Sequence, residues 1–411
     1  MVFDVARVRG LYVSLSDGWT YLNAHESPQI PEKVSGAVAR SFRMSPSVAQ
    51  VEPSTGSHSR SQERGRPLGR SFAASARWAI ADLVGASAEC VVLGPSLEVL
   101  YRSLADALPF RSHSVVLSQA DSPLLTQPFQ RSDIEVAWAQ PDLGTGDLPD
   151  WQFRSLITGG TRLVSFAAAH PYVGSVVPVE DICNIVHERS RAWVLVDATA
   201  VIGYRPIDMD AWGVDILAFD CAAMGGPNVA ALVFRDKSMF PRLTSLREGV
   251  EGPEKLELGK MSYGLLGGVA TLVDHLADLD EDAYGKRRRR LHVSMQELNS
   301  YLRTLNNYAI ESLRGLSRVH LVGISGEAAE YGDVSRIDRV PRLTFVIHNV
   351  PADTVQQRLA ANGLVTTVSP SDPLLNAMGV EDAGGAVTIG LAPFNTTNDI
   401  DQLTRVVASL A

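Results

Sequence analysis

Short apolar runs rich in β-branched residues alternate with stretches of helical length along most of this chain, and that alternation admits few folds. "CVVLGP", ending at Pro95, leads into the helix-like "LEVLYRSLADAL", and "HSVVLS" precedes a polar loop. "TRLVSFAAA" comes before the amphipathic "PVEDICNIVHERSR", "AWVLVD" ends at Asp197, and "VDILAFD" ends at Asp220. Strands joined through helical crossovers pair in parallel, so the expected fold class is α/β with a mixed, mostly parallel sheet. Strands that end in polar or charged residues deliver them to the carboxyl edge of the sheet, where open α/β folds keep their ligand cleft. That edge is therefore the place to look for chemistry.

A chain of 411 residues exceeds what one core normally covers. A second unit is expected to start near the long helical segments that run from Met261 to about Arg314. In it "RLTFVIHNV" reads as a strand, "PADTVQQRLAANG" as a helix with Pro351 near its start and Gly363 just past its end, and "LVTTVSP" as a strand. The closing "AVTIGLAPFNTTNDIDQLTRVVASL" reads as strand, turn and helix. The expected division is a large α/β domain over 20–270 and a small α+β domain made of 1–19 and 290–411. Between Ser45 and Ser71 a Ser, Pro, Gly and Arg-rich stretch reads as a long irregular loop.

A net charge of −9 argues against nucleic acid as a partner, because neutralising phosphates needs a basic face. The run "KRRRR" at Lys286–Arg290 is the one basic cluster; read as a helix it points all round the axis, with Asp282 and Lys286 as an i,i+4 pair, and is expected to be solvated and partly ion-paired. The start, "MVFDVARVRG", has no basic segment followed by an apolar one, and no apolar run reaches the ~18 residues that span a bilayer, so a cytoplasmic protein is expected without membrane contact. Cys90, Cys183 and Cys221 are far apart and lack CxxC spacing; buried free thiols are expected in preference to disulfides or zinc ligands.

Three segments carry a resemblance: "LVDATAVIGYRPIDMDAWGVDILAF", the Gly-Gly-Pro turn in "FDCAAMGGPNVAALVF", and "IGLAPFNTTNDIDQL". Together they resemble the class V aminotransferase and cysteine desulfurase family, and "FDVARVRGLYVSLSDGWTYLN" looks like its cysteine-desulfurase-like branch. The resemblance implies the fold type I of pyridoxal-phosphate-dependent transferases, of aspartate aminotransferase type, and a homodimer. It also implies a lysine that holds the cofactor as a Schiff base and shuttles a proton. That place here is Ala223, and the histidine usual before it is Ala222.

Other family positions differ as well. The ring-stacking histidine corresponds to Ser122, and the asparagine and glutamine that hydrogen-bond the ring oxygen correspond to Pro171 and Ala200, neither of which has a side-chain donor. In the phosphate cradle the threonine is Glu98 and the serine is Asp220. Thr388 stands where an arginine would meet the substrate carboxylate, and no cysteine follows Cys221 to serve as a desulfurase nucleophile. Asp197 keeps the position that pairs with the pyridine nitrogen, although an aspartate ending a strand also caps the turn after it. Lys260 falls where the family contacts the neighbouring subunit's phosphate.

These substitutions predict a degenerate homologue that does not hold pyridoxal phosphate and has a binding or regulatory role. The alternatives are an active aminotransferase or lyase that uses another lysine, such as Lys260, and a different chemistry in a remodelled acidic pocket. That pocket would gather His25, Glu26, Glu98, Asp121, His170, Asp197 and Asp220, a set suited to a cation unless the carboxylates pair with Arg60, Arg64 or Arg66. No metal motif is present in the spacing, and the natural ligand is not specified by these residues.

Overall fold

A computed structural model describes residues 3–48, 67–109, 114–324 and 338–411. Most of the loop read between Ser45 and Ser71, including Arg60, Arg64 and Arg66, lies outside the described residues.

After a short helix (Val5–Arg9) and a 3₁₀ turn (Val13–Asp17) the chain forms a two-residue strand, β1 (Thr20–Tyr21), and then builds a seven-stranded sheet. Its members are β2 (Val91–Gly94), β3 (Ser114–Ser118), β4 (Glu135–Ala139), β5 (Thr161–Ala167), β6 (Trp193–Asp197), β7 (Ile216–Asp220) and β8 (Ala230–Phe234). They lie in the order β2-β8-β7-β6-β5-β3-β4, with β3 to β7 parallel and β8 antiparallel to both of its neighbours. The mixed, mostly parallel α/β sheet expected from the alternation is present.

Both faces of the sheet are buried, which is why its strands read as continuous apolar runs. Val194, Val196, Leu217 and Phe219 point into one apolar cluster, while Leu195, Ile216 and Ala218 point into the other, as the two-residue period of a strand requires. On the first side three helices stack: α1 (Glu32–Met44), α2 (Gly69–Val84) and α5 (Tyr263–Ala277). The contact is close because α5 offers glycines; a Cβ at Gly264 would stand 2.4 Å from the Phe42 ring, and one at Gly267 would stand 2.0 Å from Ser41 Oγ. Two further crossover helices, α3 (Leu97–Ala107) and α4 (Val179–Arg189), complete the cover.

The long helix α6 (Arg287–Arg314) leads to a four-stranded antiparallel sheet with the order β12-β13-β10-β9. Its strands are β9 (Val319–Leu321), β10 (Arg342–Ile347), β12 (Thr367–Val368) and β13 (Val387–Gly390), backed by α7 (Ala352–Ala361) and α8 (Thr397–Ala408). The stretch "LVTTVSP", expected as one strand, is two. It breaks at Thr366, so that β11 (Leu364–Val365) pairs in parallel with β1 while β12 joins β13. The entering chain is thus tied to the C-terminal unit at residues 20–21.

Asp282 and Lys286, expected as an i,i+4 pair, do not share a helix: α5 ends at Ala277, and Lys286 is the N-cap of α6. The arginines after it crowd the positive end of a helix dipole, which is unfavourable alone. Carboxylates from other elements offset it, with Arg287 reaching Asp274 at 2.8 Å and Asp82 at 3.0 Å, and Arg288 reaching Asp208 at 3.1 Å. The cluster is ion-paired as expected, but by partners distant in sequence. Cys90, Cys183 and Cys221 are free and buried, and burial pushes the Cys90 thiol up to about 11. Among the described residues no helix is long and apolar enough to cross a membrane.

The turn between β7 and β8 depends on Gly225, which has φ +75°; a Cβ there would meet the Gln29 carbonyl oxygen at 2.4 Å. Ala at this position combines left-handed strain with a backbone clash. Gly225→Ala is expected to lower stability by about 2 kcal/mol or more, measured as a lower urea midpoint at unchanged slope.

Candidate functional site

The carboxyl edge of the large sheet carries three aspartates, each fixed by backbone amides. Asp197 ends β6, and its Oδ1 accepts from the Thr199 amide at 2.9 Å and the Thr199 hydroxyl at 2.5 Å. Asp220 ends β7, and its Oδ1 accepts from the Ala222 amide at 2.9 Å, capping the short 3₁₀ turn Cys221–Met224. Asp121 comes after β3 and accepts the amide of Ala167, which is the register partner of Asp197. Each carboxylate thus satisfies an amide at the strand ends, and together they set acid beside acid.

The electrostatics result from that crowding. Burial and the neighbouring Asp197 push Asp121 up to about 8. Burial raises Asp197, with Asp220 adding to the effect and the Thr199 hydrogen bonds opposing it. Asp220 is raised by burial and by Glu98, against its bond from Ala222. Glu98 sits in the first turn of α3, behind the N-cap Ser96, and its side chain is exposed. Tyr101, wholly buried on the same helix, lies in the field of Asp197 and Asp121.

The other candidate positions offer little polar capacity. Ala222 and Ala223 lie half-buried in the turn after Asp220. Ser122 is exposed and caps the next turn, accepting from the Leu124 amide at 3.3 Å. Ala200 is buried, and Pro171 contributes only its carbonyl, which accepts from Arg342 Nη1 at 3.0 Å. Thr388 is buried in a hydroxyl cluster, 2.7 Å from both Thr344 Oγ1 and Ser369 Oγ. Lys260 is exposed ahead of α5, and no carboxylate among the described residues forms an ion pair with it.

The two histidines grouped with the acids have different surroundings. His170 Nδ1 accepts from the Val173 amide at 3.1 Å, so Nε2 carries the proton and donates to Asp372 at 3.2 Å. Asp372 in turn caps the helix Pro373–Ala377 of the small unit, so this pair bolts the loop after β5 to the C-terminal region. His25 lies against β13, with its ring edge-on to Tyr172 at 6.3 Å between centroids. Among the described residues no group of three or more His, Cys, Asp or Glu is placed to hold a metal ion.

Arg342, Tyr172 and Asp372 also border this region, and nothing in the sequence singles them out. Arg342 begins an apolar strand, and only the alternation of β10, which sends Leu343 and Phe345 into the main core, would have placed it on the opposite face with Thr344.

Residues 54–403 match the family model described as Aminotransferase class-V. The chain is 39% identical over its whole length to an uncharacterized protein of Mycobacterium tuberculosis, covering 100% of both. It is 25% identical to the cysteine desulfurase IscS of Anaeromyxobacter dehalogenans, over 81% of this chain and 80% of that protein. The solved structure of the cysteine desulfurase CsdA of Escherichia coli superposes with a TM-score of 0.79 at 19% identity, covering 100% of this chain and 98% of that one. At that identity the match establishes a shared fold, the type I fold of pyridoxal-phosphate enzymes.

The raised acids give a test through pH. A carboxyl whose folded value lies above its unfolded value contributes stability that is complete below the unfolded value and is lost as pH rises through the folded one. With Asp121 at about 8, stability is expected to fall between roughly pH 4 and pH 8. Asp121→Asn, which keeps an oxygen for the Ala167 amide, is expected to remove about 1–3 kcal/mol of that fall, as read from urea denaturation at pH 5 and pH 8.

Proposed function

We propose that this chain, which belongs to the class-V aminotransferase family, uses its cleft to bind a ligand without pyridoxal phosphate, in a binding or regulatory role. One observation carries the reading. At the end of β7 the Asp220 carboxylate already accepts the Ala222 amide, in the field of Glu98. By the family resemblance a phosphate would be seated between these two positions, and a Schiff-base lysine would stand at Ala223.

The residues present do not fit that cofactor. A phosphate dianion needs free amides and small hydroxyls, whereas one amide here is taken by a carboxylate. A charge pair about 5 Å apart at an effective dielectric near 20 repels by roughly 3 kcal/mol. Asp220 is the stronger contributor, because the exposed Glu98 side chain is screened by solvent. The methyl of Ala223 supplies no nucleophile. Asp197 keeps the position whose family partner is a pyridine nitrogen; Thr199 engages only its Oδ1.

The reading includes a homodimer, as the family resemblance implies. Phe42 and Met44 on α1 remain 52% and 43% exposed, an apolar face that a second copy would cover. Light scattering is expected to give about twice the chain mass of 44.3 kDa; the monomer mass at micromolar concentration would remove this part of the reading.

For the cofactor, the protein is mixed with pyridoxal phosphate, reduced with borohydride and mapped by mass spectrometry. No stoichiometric adduct at a single lysine is expected. Ala223→Lys alone is expected to stay unlabelled, whereas A223K combined with D220S and E98T gains the adduct at residue 223. A stoichiometric wild-type adduct, at Lys260 or elsewhere, would overturn the reading.

A further inference from the structure

The N-terminal segment is held to the rest of the protein through a buried imidazole. Tyr12 stands between the helix Val5–Arg9 and the 3₁₀ turn Val13–Asp17 and is 6% exposed. Its hydroxyl lies 3.0 Å from Nε2 of His275, which is 1% exposed near the end of α5. The two rings meet edge-on, and Phe394 of the C-terminal unit packs edge-on against the same tyrosine, 4.9 Å away between centroids. Beside this contact Arg7 donates to the Asp278 and Leu279 carbonyls, and Arg9 donates to that of Phe394. The segment therefore touches both units before it continues into β1, which pairs with β11.

Nδ1 of His275 is buried without a hydrogen-bond partner among the described residues. A neutral imidazole tolerates this, because the Tyr12 hydroxyl can donate to Nε2 or accept from it. A protonated one does not. Both nitrogens then donate, the Tyr12 oxygen takes one N–H, and Nδ1–H is left in the core with a charge and no acceptor. The neighbouring charges oppose it as well. Lys33 on α1 and Arg7 on the N-terminal helix, both cations, are the groups of other elements whose field reaches the ring. On its own helix Asp274 is engaged by Arg287, and Asp278 at the helix end is engaged by Lys33 and Arg290. From the C-terminal unit Phe394 brings an apolar ring, and Asp399 pairs with Arg9; Tyr204 lies in the field of Tyr12. Burial and the two cations hold the imidazole down at about 3.

We propose that Tyr12 and His275 form an acid-sensitive clasp, in which uptake of a proton by the imidazole releases residues 3–17 as a unit while the large sheet stays folded. Departure of the segment uncovers the ring, so the open form takes a proton at the ordinary value near 6.5, whereas the closed form resists it down to about 3. The stability contributed by the neutral ring is therefore complete above about pH 6.5 and is lost progressively as pH falls below it. The sign is opposite to that of Asp121, whose contribution is lost as pH rises. The clasp uses none of the aspartates at the sheet edge and operates whatever the cleft binds.

The test is amide hydrogen exchange of the full chain, read peptide by peptide by mass spectrometry at pH 5 and pH 7.5 and corrected for the intrinsic pH dependence of exchange. The amides of Val8, Gly10 and Leu11 are hydrogen-bonded within the segment and report its opening. Their opening constant is expected to be roughly thirtyfold larger at pH 5 than at pH 7.5, while peptides from β5 to β7 keep their protection. His275→Gln, which keeps a polar group for the Tyr12 hydroxyl but does not titrate, is expected to lose that rise. Tyr12→Phe, which removes the hydrogen bond and leaves the buried imidazole, is expected to open more at both pH values and to retain the rise. Equal opening of the wild-type segment at the two pH values, an undiminished rise in H275Q, or loss of protection in the sheet together with the segment would each overturn the clasp. Should H275Q fail to fold, the wild-type and Y12F profiles decide it, since a rise absent from either contradicts the proposal.

Discussion

Where β7 gives way to the turn at Gly225, the carboxylate of Asp220 accepts the Ala222 amide, and the character of the cleft depends on that hydrogen bond. In a parallel sheet the carboxyl edge offers free amides, and an anion is their natural occupant. Here the chain brings its own anions. Asp197 takes the Thr199 amide and Asp121 takes that of Ala167, so the edge is satisfied from within. The consequence is a row of acids whose proton affinities climb together.

The small unit brings both signs to the same region, Arg342 and Asp372. β10 and β13 belong to the small unit, and Arg342 reaches from them to the loop after β5, where it bonds the Pro171 carbonyl. The same loop is held by His170 and Asp372, which join residues 202 positions apart. Two contacts thus tie the small unit to that loop, one through an imidazole and one through a guanidinium.

Much of this fold was legible because the central strands are buried on both faces, and double burial forces unbroken apolar runs such as those ending at Asp197 and Asp220. β4 was not legible, since an edge strand reading Glu-Val-Ala-Trp-Ala has no such run. "LVTTVSP" looked like one strand because nothing local marks Thr366 as the point where the chain changes sheets. At the site, the identities of Glu98, Ser122, Asp220 and Ala223 were plain from sequence, but their partners were not. The contacts of His25 and His170 were not legible for a related reason: a hydrogen bond to Asp372 and packing on Gly390 are long-range facts. Arg342 went unnoticed because a lone cation at the start of an apolar strand resembles a surface residue until the register is known.

Negative charge fixed on the strand ends is what closes this cleft, on the reading proposed above, to an anionic aldehyde cofactor. The most direct measurement is a crystal structure of the protein soaked with pyridoxal phosphate. No ordered phosphate is predicted between Glu98 and Asp220, with the hydrogen bond from the Ala222 amide to Asp220 unchanged. A fully occupied cofactor, with its phosphate on that edge and Asp220 turned away from the amide, would contradict it.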